Sequence, residues 1–139
     1  MSKRHLKSIA APKSWPIKRK ENVYVIRPNP GPHKLENCMP IGLVLKMLLQ
    51  VKNSREAKQV INQKKVLINK KPADDLKFQT GLFDVLEFAD KSYRILLNRK
   101  GKLAFKEISK SDADISLLKI IKKTKLKGSK LQLNFHNGF

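Results

Sequence analysis

Two adjacent carboxylates, Asp74 and Asp75, are the residues that most resemble a catalytic pair in this chain. General acid–base catalysis needs a pocket that perturbs such a pair, so that one carboxyl group can hold a proton. The two residues follow Pro72 in a predicted turn, where aspartate is favoured because its side chain caps backbone N–H groups. We therefore interpret the pair as part of a turn and predict that the protein is not an enzyme.

Metal and covalent chemistry have equally little support in the sequence. The lone Cys38 excludes an internal disulfide and a cysteine-based zinc site. The three histidines, His5, His33 and His136, do not have the spacing of metal ligands. The sequence also lacks a glycine-rich phosphate loop, a Ser/His/Asp arrangement and a context that activates a cysteine. We predict that the protein uses no cofactor, no metal and no small-molecule substrate.

The basic side chains do indicate a chemistry, namely the binding of a polyanion. The chain has 139 residues, with 31 Lys and Arg against 11 Asp and Glu, and a formal net charge of +20. A domain with this excess repels itself when alone, and nucleic acid is its usual partner. An anionic membrane surface is the alternative to nucleic acid as the polyanion.

The position of the charge divides the chain into regions. Residues 1–37 carry nine basic and two acidic side chains, and residues 38–71 carry eight and one, so each region has a net charge of +7. Residues 72–115 carry eight of each sign, and residues 116–139 carry six basic side chains and no acidic one. The positive field therefore lies in the first half and the last stretch of the chain, and the neutral middle is typical of an ordinary folded sheet.

Two features give an expectation for the location of the protein. The longest apolar run, residues 41–49, is interrupted by Lys46 and is too short to span a bilayer. Residues 1–7 are polar and basic and do not resemble a secretory signal. We expect a cytoplasmic protein with no membrane partner.

The elements that must position these charges begin with a proline-rich arm. Six of the seven prolines fall within the first 40 residues, and each one fixes φ and lacks a donor, which favours an extended chain over a helix. The same region contains Trp15, Tyr24 and several aliphatic residues, too many for a disordered tail. We predict an extended arm over residues 1–37 that packs on another surface, with a short strand at 23–26.

Two helices follow the arm. Apolar residues recur at helical spacing through residues 40–51, and Pro40 suits a first helical turn. The second helix is predicted to begin at Asn53, with Glu56 three residues later to complete a capping box. Its expected buried stripe is Ala57, Val60 and Ile61, and its opposite face carries Arg55, Lys58 and Asn62.

The rest of the chain has the alternation and turn residues of β-structure. We predict strands at 66–68, 81–88, 93–98, 102–108, 117–121 and 131–135. We also predict a hairpin turn at 98–101 with Gly101 at positive φ, a turn or short helix at 111–114, and a basic loop at 122–130. The expected fold class is α+β, with a mostly antiparallel β-domain after the helices.

Several sequence blocks are similar to a known family. Two short helices, a basic strand ending at Asn69 and a Gly-Leu-Phe-Asp-Val stretch at 81–85 resemble the small alpha-L RNA-binding module. The blocks HLKSIAAPKSWPI at 5–17, RPNPGPHKLENCMP at 27–40 and YRILLNRKGKLAFKEI at 93–108 resemble, in order and spacing, the small ribosomal subunit protein S4e family of archaea and eukaryotes. This resemblance covers nearly the whole chain.

The resemblance implies a division of the chain and a function. It implies an extended basic arm at 1–37, an alpha-L RNA-binding module at 38–90 and a β-rich central domain at 91–139 that is incomplete relative to the family. It also implies a structural constituent of the small ribosomal subunit that binds and stabilises folded rRNA by phosphate neutralisation and shape fit, and so supports translation. The implied partners are small-subunit rRNA and neighbouring ribosomal proteins, in the cytoplasmic ribosome.

The sequence departs from the family pattern in two respects. Lys70 stands where the family usually has glycine after the first strand, so either the turn differs or Lys70 accepts a strained backbone. Family members typically continue beyond the point that matches residue 139, with a small β-barrel of the KOW type. The chain is therefore expected to be either a shortened family member or a fragment.

The candidate rRNA contacts are basic residues that could neutralise phosphates and release counterions. They are Lys3, Arg4, His5, Lys7, Lys13, Lys18, Arg19, Lys20, Arg27, His33 and Lys34 in the arm, Arg55, Lys58, Lys64, Lys65, Lys70 and Lys71 in the module, and Lys122, Lys123, Lys125 and Lys127 near the end of the chain. The alternative for each group is a solvated surface or mobile loop.

Three side chains of the arm have two interpretations each. Trp15 and Tyr24 could stack on unpaired bases, although a lone aromatic in an extended arm more often packs on its own domain. His33 could touch a phosphate or pack locally.

The alternative for the whole protein is a free-standing RNA-binding factor that acts on ribosomal particles or tRNA.

Overall fold

The computed structural model describes residues 5–18, 20–49 and 53–137 of the chain. Its strands are β1 (Leu6–Lys7), β2 (Tyr24–Val25), β3 (Cys38–Pro40), β4 (Val66–Ile68), β5 (Lys71–Pro72), β6 (Gln79–Gly81), β7 (Val85–Phe88), β8 (Lys91–Leu97), β9 (Leu103–Ile108), β10 (Ile120–Lys125) and β11 (Leu131–Phe135). Its helices are α1 (Ile41–Leu48), α2 (Ser54–Asn62) and the single-turn α3 (Lys110–Ala113), with 3-10 turns at Ser8–Ala10 and Leu35–Asn37. Among the described residues, no helix is long and apolar enough to cross a membrane.

The strands form one main sheet and three small ladders. The main sheet has five strands in the order β5-β4-β7-β8-β9, and the ladders pair β1 with β2, β3 with β6, and β10 with β11. Every strand pair in the described residues is antiparallel, which confirms the predicted α+β class. The predicted boundary between residues 90 and 91 falls between β7 and β8, which are neighbours in the main sheet, and the three-part division of the chain stays a prediction.

The two helices bury the stripes that their apolar spacing predicts. Helix α1 buries Ile41, Val44 and Leu45, and α2 buries Ala57 and Ile61. These side chains share one core with residues of the main sheet. The core thus lies between the helix pair and the main sheet. The exposed face of α2 carries charged residues.

The starts of the two helices differ in detail from the prediction. Helix α1 begins at Ile41, directly after Pro40, and its first N–H groups donate to the carbonyl oxygens of Phe78 and Leu76, each at 2.9 Å. Helix α2 follows Asn53 as predicted, but the Asn53 side chain makes no capping hydrogen bond, so the predicted capping box is wrong. Tertiary contacts, rather than local caps, therefore satisfy the start of α1.

The proline-rich arm lies on the rest of the chain. Trp15 is only 2% exposed, and its Nε1 donates a 2.7 Å hydrogen bond to the Cys38 carbonyl oxygen at the start of β3. One residue earlier, the Ser14 carbonyl oxygen accepts a hydrogen bond from the Leu103 N–H of β9 at 2.7 Å. The short strand predicted at 23–26 is β2. The indole thus connects the arm to β3, directly before α1.

Residues with positive φ end or interrupt strands at positions that the sequence did not predict. The predicted continuous strand at 81–88 is wrong, because Phe83 has φ 70° and divides it into β6 and β7. The β4–β5 hairpin has a two-residue turn in which Asn69 (φ 49°) and Lys70 (φ 67°) are both left-handed. Lys70 therefore does occupy the backbone conformation for which glycine is better suited.

The later turns follow the sequence more closely, with one correction. Gly101 has φ 70° in the predicted hairpin turn, where the Asn98 side-chain oxygen accepts from the backbone N–H groups of Lys100 and Lys102. The predicted basic loop at 122–130 is wrong in its first part, because β10 extends to Lys125 and pairs with β11. The observed strand β10, Ile120–Lys125, therefore lies closer to the C-terminus than the strand predicted at 117–121.

Replacing Trp15 with phenylalanine tests the connection between the arm and the core. Trp15→Phe removes the donor to the Cys38 carbonyl oxygen and reduces the volume of a buried side chain. We expect the free energy of unfolding to fall by about 2 kcal/mol, measured by urea denaturation with far-UV circular dichroism. Ile9→Ala, at an exposed arm residue, is the control and should change stability by less than about 0.5 kcal/mol. Equal midpoints for the two variants would contradict a buried indole.

Candidate nucleic-acid interface

The Asp84 carboxylate connects the arm to the β4–β5 hairpin and to the end of β6. Its Oδ2 atom accepts hydrogen bonds from the Gly81 backbone N–H at 2.7 Å and from His33 Nε2 at 3.1 Å. Its Oδ1 atom accepts from Asn69 Nδ2 at 2.9 Å. The Asn69 side-chain oxygen in turn accepts from the Val85 N–H at 2.9 Å. We call these residues (His33, Asn69, Gly81, Asp84 and Val85) the Asp84 cluster.

The Asp84 cluster decides between the two interpretations of His33. The His33 side chain is 5% exposed and the Asp84 side chain 8%. A Cβ atom at Gly81 would overlap the His33 ring, so glycine is needed for this close approach. His33 packs locally and is not available to a phosphate, which corrects its assignment as an rRNA contact.

The same carboxylate affects the only cysteine. Burial, and next the negative charge of Asp84, raise the pKa of the Cys38 thiol to about 11. The thiol is therefore un-ionised at neutral pH, and a thiolate is the reactive form of cysteine. Cys38 is fully buried at the start of β3, where its side chain packs in the protein interior.

The two arm aromatics have opposite environments. Trp15 lies in the core, so its assignment to base stacking is wrong, because an indole that is 2% exposed cannot receive a base. Tyr24 is 58% exposed on β2. Sequence composition gave no reason to separate these two residues. The register of the β1–β2 ladder exposes Tyr24, and the hydrogen bond to the Cys38 carbonyl oxygen holds Trp15 in the core.

The basic residues of the arm that the structure describes are at the surface. They are His5, Lys7, Lys13, Lys18, Lys20, Arg27 and Lys34, all of which are exposed. Lys3, Arg4 and Arg19 lie outside the described residues. The arm thus uses its apolar side chains for packing and presents its charged ones to solvent, which leaves the positive field accessible.

The helical part carries a second exposed basic surface. Arg55 and Lys58 lie three residues apart on α2, so they share one helix face. Lys64 and Lys65 follow in the turn between α2 and β4 and are also exposed. We call these four residues the α2 surface. It extends along one helix face and the turn that follows.

Lys70 and Lys71 of the β4–β5 hairpin have a different setting. The Lys70 ammonium lies 2.9 Å from both Glu87 Oε1 and Asp114 Oδ1. Hydrogen bonds to Asp114 and Glu87 raise the pKa of Lys70 above its usual value. The Lys70 side chain, although 53% exposed, therefore shares its charge with two carboxylates of the same protein. Lys71 is exposed on β5.

The last group of lysines lies on the β10–β11 ladder. Lys122, Lys123 and Lys125 are in β10, opposite Asn134, Leu133 and Leu131 of β11, and Lys127 is in the following loop. All four are exposed. Successive side chains of a strand point to opposite faces, so Lys123 and Lys125 share one face of the ladder and Lys122 lies on the other.

The neutral middle of the chain supplies the acidic partner of each ion pair found among the described residues. Besides the two contacts of Lys70, Lys91 Nζ lies 3.9 Å from Glu107 Oε1 and Lys110 Nζ lies 3.8 Å from Asp90 Oδ1. Within the described ranges, the α2 surface and the four β10–loop lysines make no ion pair with an acidic side chain. Their charge is therefore available to an external anion.

The predicted turn is present at the adjacent carboxylates, but among the described residues neither Asp74 nor Asp75 caps a backbone N–H group with its side chain. Asp75 Oδ2 accepts a hydrogen bond from Asn29 Nδ2 at 3.2 Å, and the Asp75 carbonyl oxygen accepts from the Phe78 N–H. Asp74 and Asp75 line an open cleft of about 530 Å³ beside the proline-rich segment. In the part of the chain that the structure describes, no group of three or more His, Cys, Asp or Glu side chains could hold a metal ion.

Replacing Asp84 with asparagine tests the Asp84 cluster. The amide has a single acceptor oxygen, so the three donors around residue 84 cannot all be satisfied, and we expect stability to fall by about 2–3 kcal/mol. Urea denaturation measures the loss, and faster tryptic cleavage within residues 5–34 reports release of the arm. Asp74→Asn, at an exposed carboxylate, is the control. An Asp84→Asn protein with the stability and cleavage rate of the control would contradict the anchoring role.

Three family models match consecutive parts of the chain. The RS4NT (NUC023) domain matches residues 2–36, the S4 domain matches residues 39–86, and the ribosomal family S4e matches residues 89–139. The three matches follow one another in the order arm, helix pair with first strands, and remaining β-structure. Together they account for nearly the whole chain.

Curated relatives and a solved structure agree with the family models. Small ribosomal subunit protein eS4 of Nanoarchaeum equitans is 43% identical, over 98% of this chain and 60% of its own length, and that of Methanosphaera stadtmanae is 41% identical, over 99% and 58%. The crystal structure of the 30S ribosomal protein S4e from Thermoplasma acidophilum matches with a TM-score of 0.64 and 28% identity, over 74% of this chain and 54% of that one. The chain spans about 60% of the length of these curated relatives. With three consecutive family models and relatives that match almost all of its residues, the chain belongs to the ribosomal S4e family.

Proposed function

We propose that the protein is a structural constituent of the small ribosomal subunit that binds and stabilises folded rRNA and so supports translation. Its partners are small-subunit rRNA and neighbouring ribosomal proteins, and its location is the cytoplasmic ribosome. The curated relatives carry the name of a small ribosomal subunit protein, which supports this assignment. No catalytic step is part of the proposal, and in the pair that resembles a catalytic one, the Asp75 carboxylate accepts a hydrogen bond from Asn29 of the arm.

The observation that carries the proposal is the separation of exposed positive charge from the ion pairs. The regions before residue 72 and after residue 115 have large net positive charges, while residues 72–115 are neutral and contain most of the acidic partners. A folded protein with unshared positive charge in two separate regions of its chain is suited to a polyanion that contacts it at more than one place. Folded RNA has this property, because its phosphates surround a compact tertiary structure.

The mechanism is electrostatic neutralisation combined with shape fit. Each phosphate contact by the arm, the α2 surface or the β10 lysines releases condensed counterions, which makes the affinity depend on salt. The deep major groove of A-form RNA hides its base edges from side chains, so shape and phosphate position provide most of the recognition. The buried Trp15 and the Asp84 cluster hold the arm in place, so part of the ordering entropy is lost on folding rather than on binding.

The division of work along the chain is part of the same proposal. The arm at 1–37 follows the rRNA surface, the module at 38–90 contacts a folded rRNA surface through α2, and the β-rich region at 91–139 presents β10 to RNA or to a neighbouring protein. The positions of the basic residues on α2, on the following turn and on β10 support this division.

Co-sedimentation with ribosomal particles tests the proposal. We expect the protein to sediment with small subunits in near-stoichiometric amounts after a wash at moderate salt, because many phosphate contacts act together. Recovery mainly in the soluble fraction, with a minor amount on particles or tRNA, would favour a free-standing RNA-binding factor instead. Equal affinity for small-subunit rRNA, duplex DNA and anionic vesicles in competition would exclude specific rRNA recognition.

A charge-removing double variant tests the α2 surface. Arg55→Gln/Lys58→Gln should weaken binding to a small-subunit rRNA transcript and reduce the slope of log affinity against log salt by about 1.5, since each lost phosphate contact removes about 0.7 to 0.9. Electrophoretic mobility shift at several salt concentrations measures this slope.

The matched control for this variant removes the same charge from the neutral region. Lys91→Gln/Lys110→Gln changes two lysines that lie within 4 Å of acidic partners, so its effect on the slope should be smaller. Equal losses for the two double variants would mean that net charge, rather than the α2 surface, determines binding.

A further inference from the structure

Tyr24 occupies an outward position on the two-stranded β1–β2 ladder. In this ladder Leu6 is opposite Val25, and Lys7 is opposite Tyr24. Leu6 and Val25 pack against the core, whereas Lys7 and Tyr24 are exposed, because neighbouring residues of a strand point to opposite faces. The aromatic ring is 58% exposed although it is fixed to an ordered backbone.

The neighbours of this ring are basic. The imidazole of His5 lies beside it, with 5.7 Å between the ring centroids and a tilt of 56°. Lys7 stands across the ladder, at the distance where cross-strand side chains interact. The segment that leads into β2 carries the exposed Lys18 and Lys20, together with the exposed Glu21.

We propose that Tyr24 is a stacking platform for an unpaired base of single-stranded RNA, with Lys7 bound to the phosphate next to that base. This inference rests on the proposed rRNA-binding function and adds a specific contact to it. An aromatic face held by a strand and bordered by cations provides the two elements that recognise an unpaired nucleotide, a π-surface for the base and positive charge for the backbone. The β1–β2 ladder sets the distance between these two elements.

Charge decides between an RNA base and an apolar protein surface as the occupant. Ile9 and Val23 are exposed near the same ladder, so the surface has apolar area that a protein could also cover. However, the arm has nine basic residues and only two acidic ones, which makes the local field favourable for a polyanion. A base brings its own phosphate to this field, and an ordinary apolar protein surface does not.

Phe78 provides the internal comparison. It is also partly exposed, at 38%, but it lines the cleft that contains Asp74 and Asp75. Two carboxylates close to an aromatic ring repel a phosphate, so this ring lacks the second element of a nucleotide site. The difference between Tyr24 and Phe78 gives a matched pair of variants, since each replacement removes one partly exposed ring.

The test compares two probes with the full 139-residue chain. One is fluorescently labelled oligoadenylate of about twelve nucleotides, close to the length that one binding surface covers, and the other is the same ribose-phosphate chain without bases. Fluorescence anisotropy gives the affinity for each. We expect Tyr24→Leu to weaken oligoadenylate binding at least about fivefold, the lower limit for one stacked base. Its affinity for the base-free chain should be that of the wild type.

Three further variants complete the test. Tyr24→Phe keeps the ring and should keep wild-type affinity, Phe78→Leu should change neither affinity, and Lys7→Gln should weaken both probes. Far-UV circular dichroism checks that each variant is folded, which is expected because the Tyr24 ring is exposed.

The outcomes separate this inference from the proposed function. Wild-type affinity of Tyr24→Leu for oligoadenylate would overturn the stacking platform and leave rRNA binding in place. An equal loss for both probes would also overturn it, because the lost contact would then not involve a base. A wild-type chain that binds neither probe and no rRNA transcript would overturn the platform together with the proposed function.

Discussion

The structure depends most on the hydrogen bonds that the buried Asp84 carboxylate accepts. A buried carboxylate is costly unless its oxygens are satisfied, and here the donors come from three separate segments: His33 of the arm, Asn69 of the β4–β5 hairpin and the Gly81 backbone. Each donor is in place only when its own segment has its native backbone. The left-handed conformation of Asn69, the close approach at Gly81 and the position of the arm therefore depend on one another, because all three segments donate hydrogen bonds to Asp84.

This constraint explains how the acidic residues are used. Asp84 anchors the arm, Glu87 and Asp114 hold Lys70, and Asp75 bonds to Asn29, so several of the carboxylates in the neutral middle act inside the protein. The basic residues before and after this region are left without such partners on the α2 surface and on β10. The protein thus separates the charges that stabilise its own fold from those that face outward. The proposed rRNA contacts therefore need not compete with these internal contacts.

The elements that the sequence predicted well are those determined by local patterns. The helix stripe of Ala57 and Ile61 follows from spacing alone, and the turn at Gly101 follows from a glycine that tolerates positive φ. The turn at Phe83 could not be predicted in this way, because a bulky residue at φ 70° depends on a tertiary hydrogen bond from its N–H to the Ile95 carbonyl oxygen.

The candidate site shows the same limit. The S4e resemblance and the charge distribution identified basic regions, and the described basic residues of these regions are largely at the surface. Composition could not tell that Trp15 is buried and Tyr24 exposed, since the Cys38 carbonyl and the β1–β2 register decide this. It also could not place Lys122, Lys123 and Lys125 on a strand, because their partner strand lies beyond the next turn.

The hydrogen bond between His33 and Asp84 also has a consequence for the order of events during synthesis. The two residues are 51 positions apart, and the ribosome makes the chain from the N-terminus at about 5–20 residues per second. The arm is therefore complete on the order of several seconds before its anchor exists. Throughout that interval the nascent arm carries its positive charge without the carboxylate that later fixes its position. A newly made chain passes through a stage in which the arm is basic and unanchored, and the emergence of residue 84 ends it.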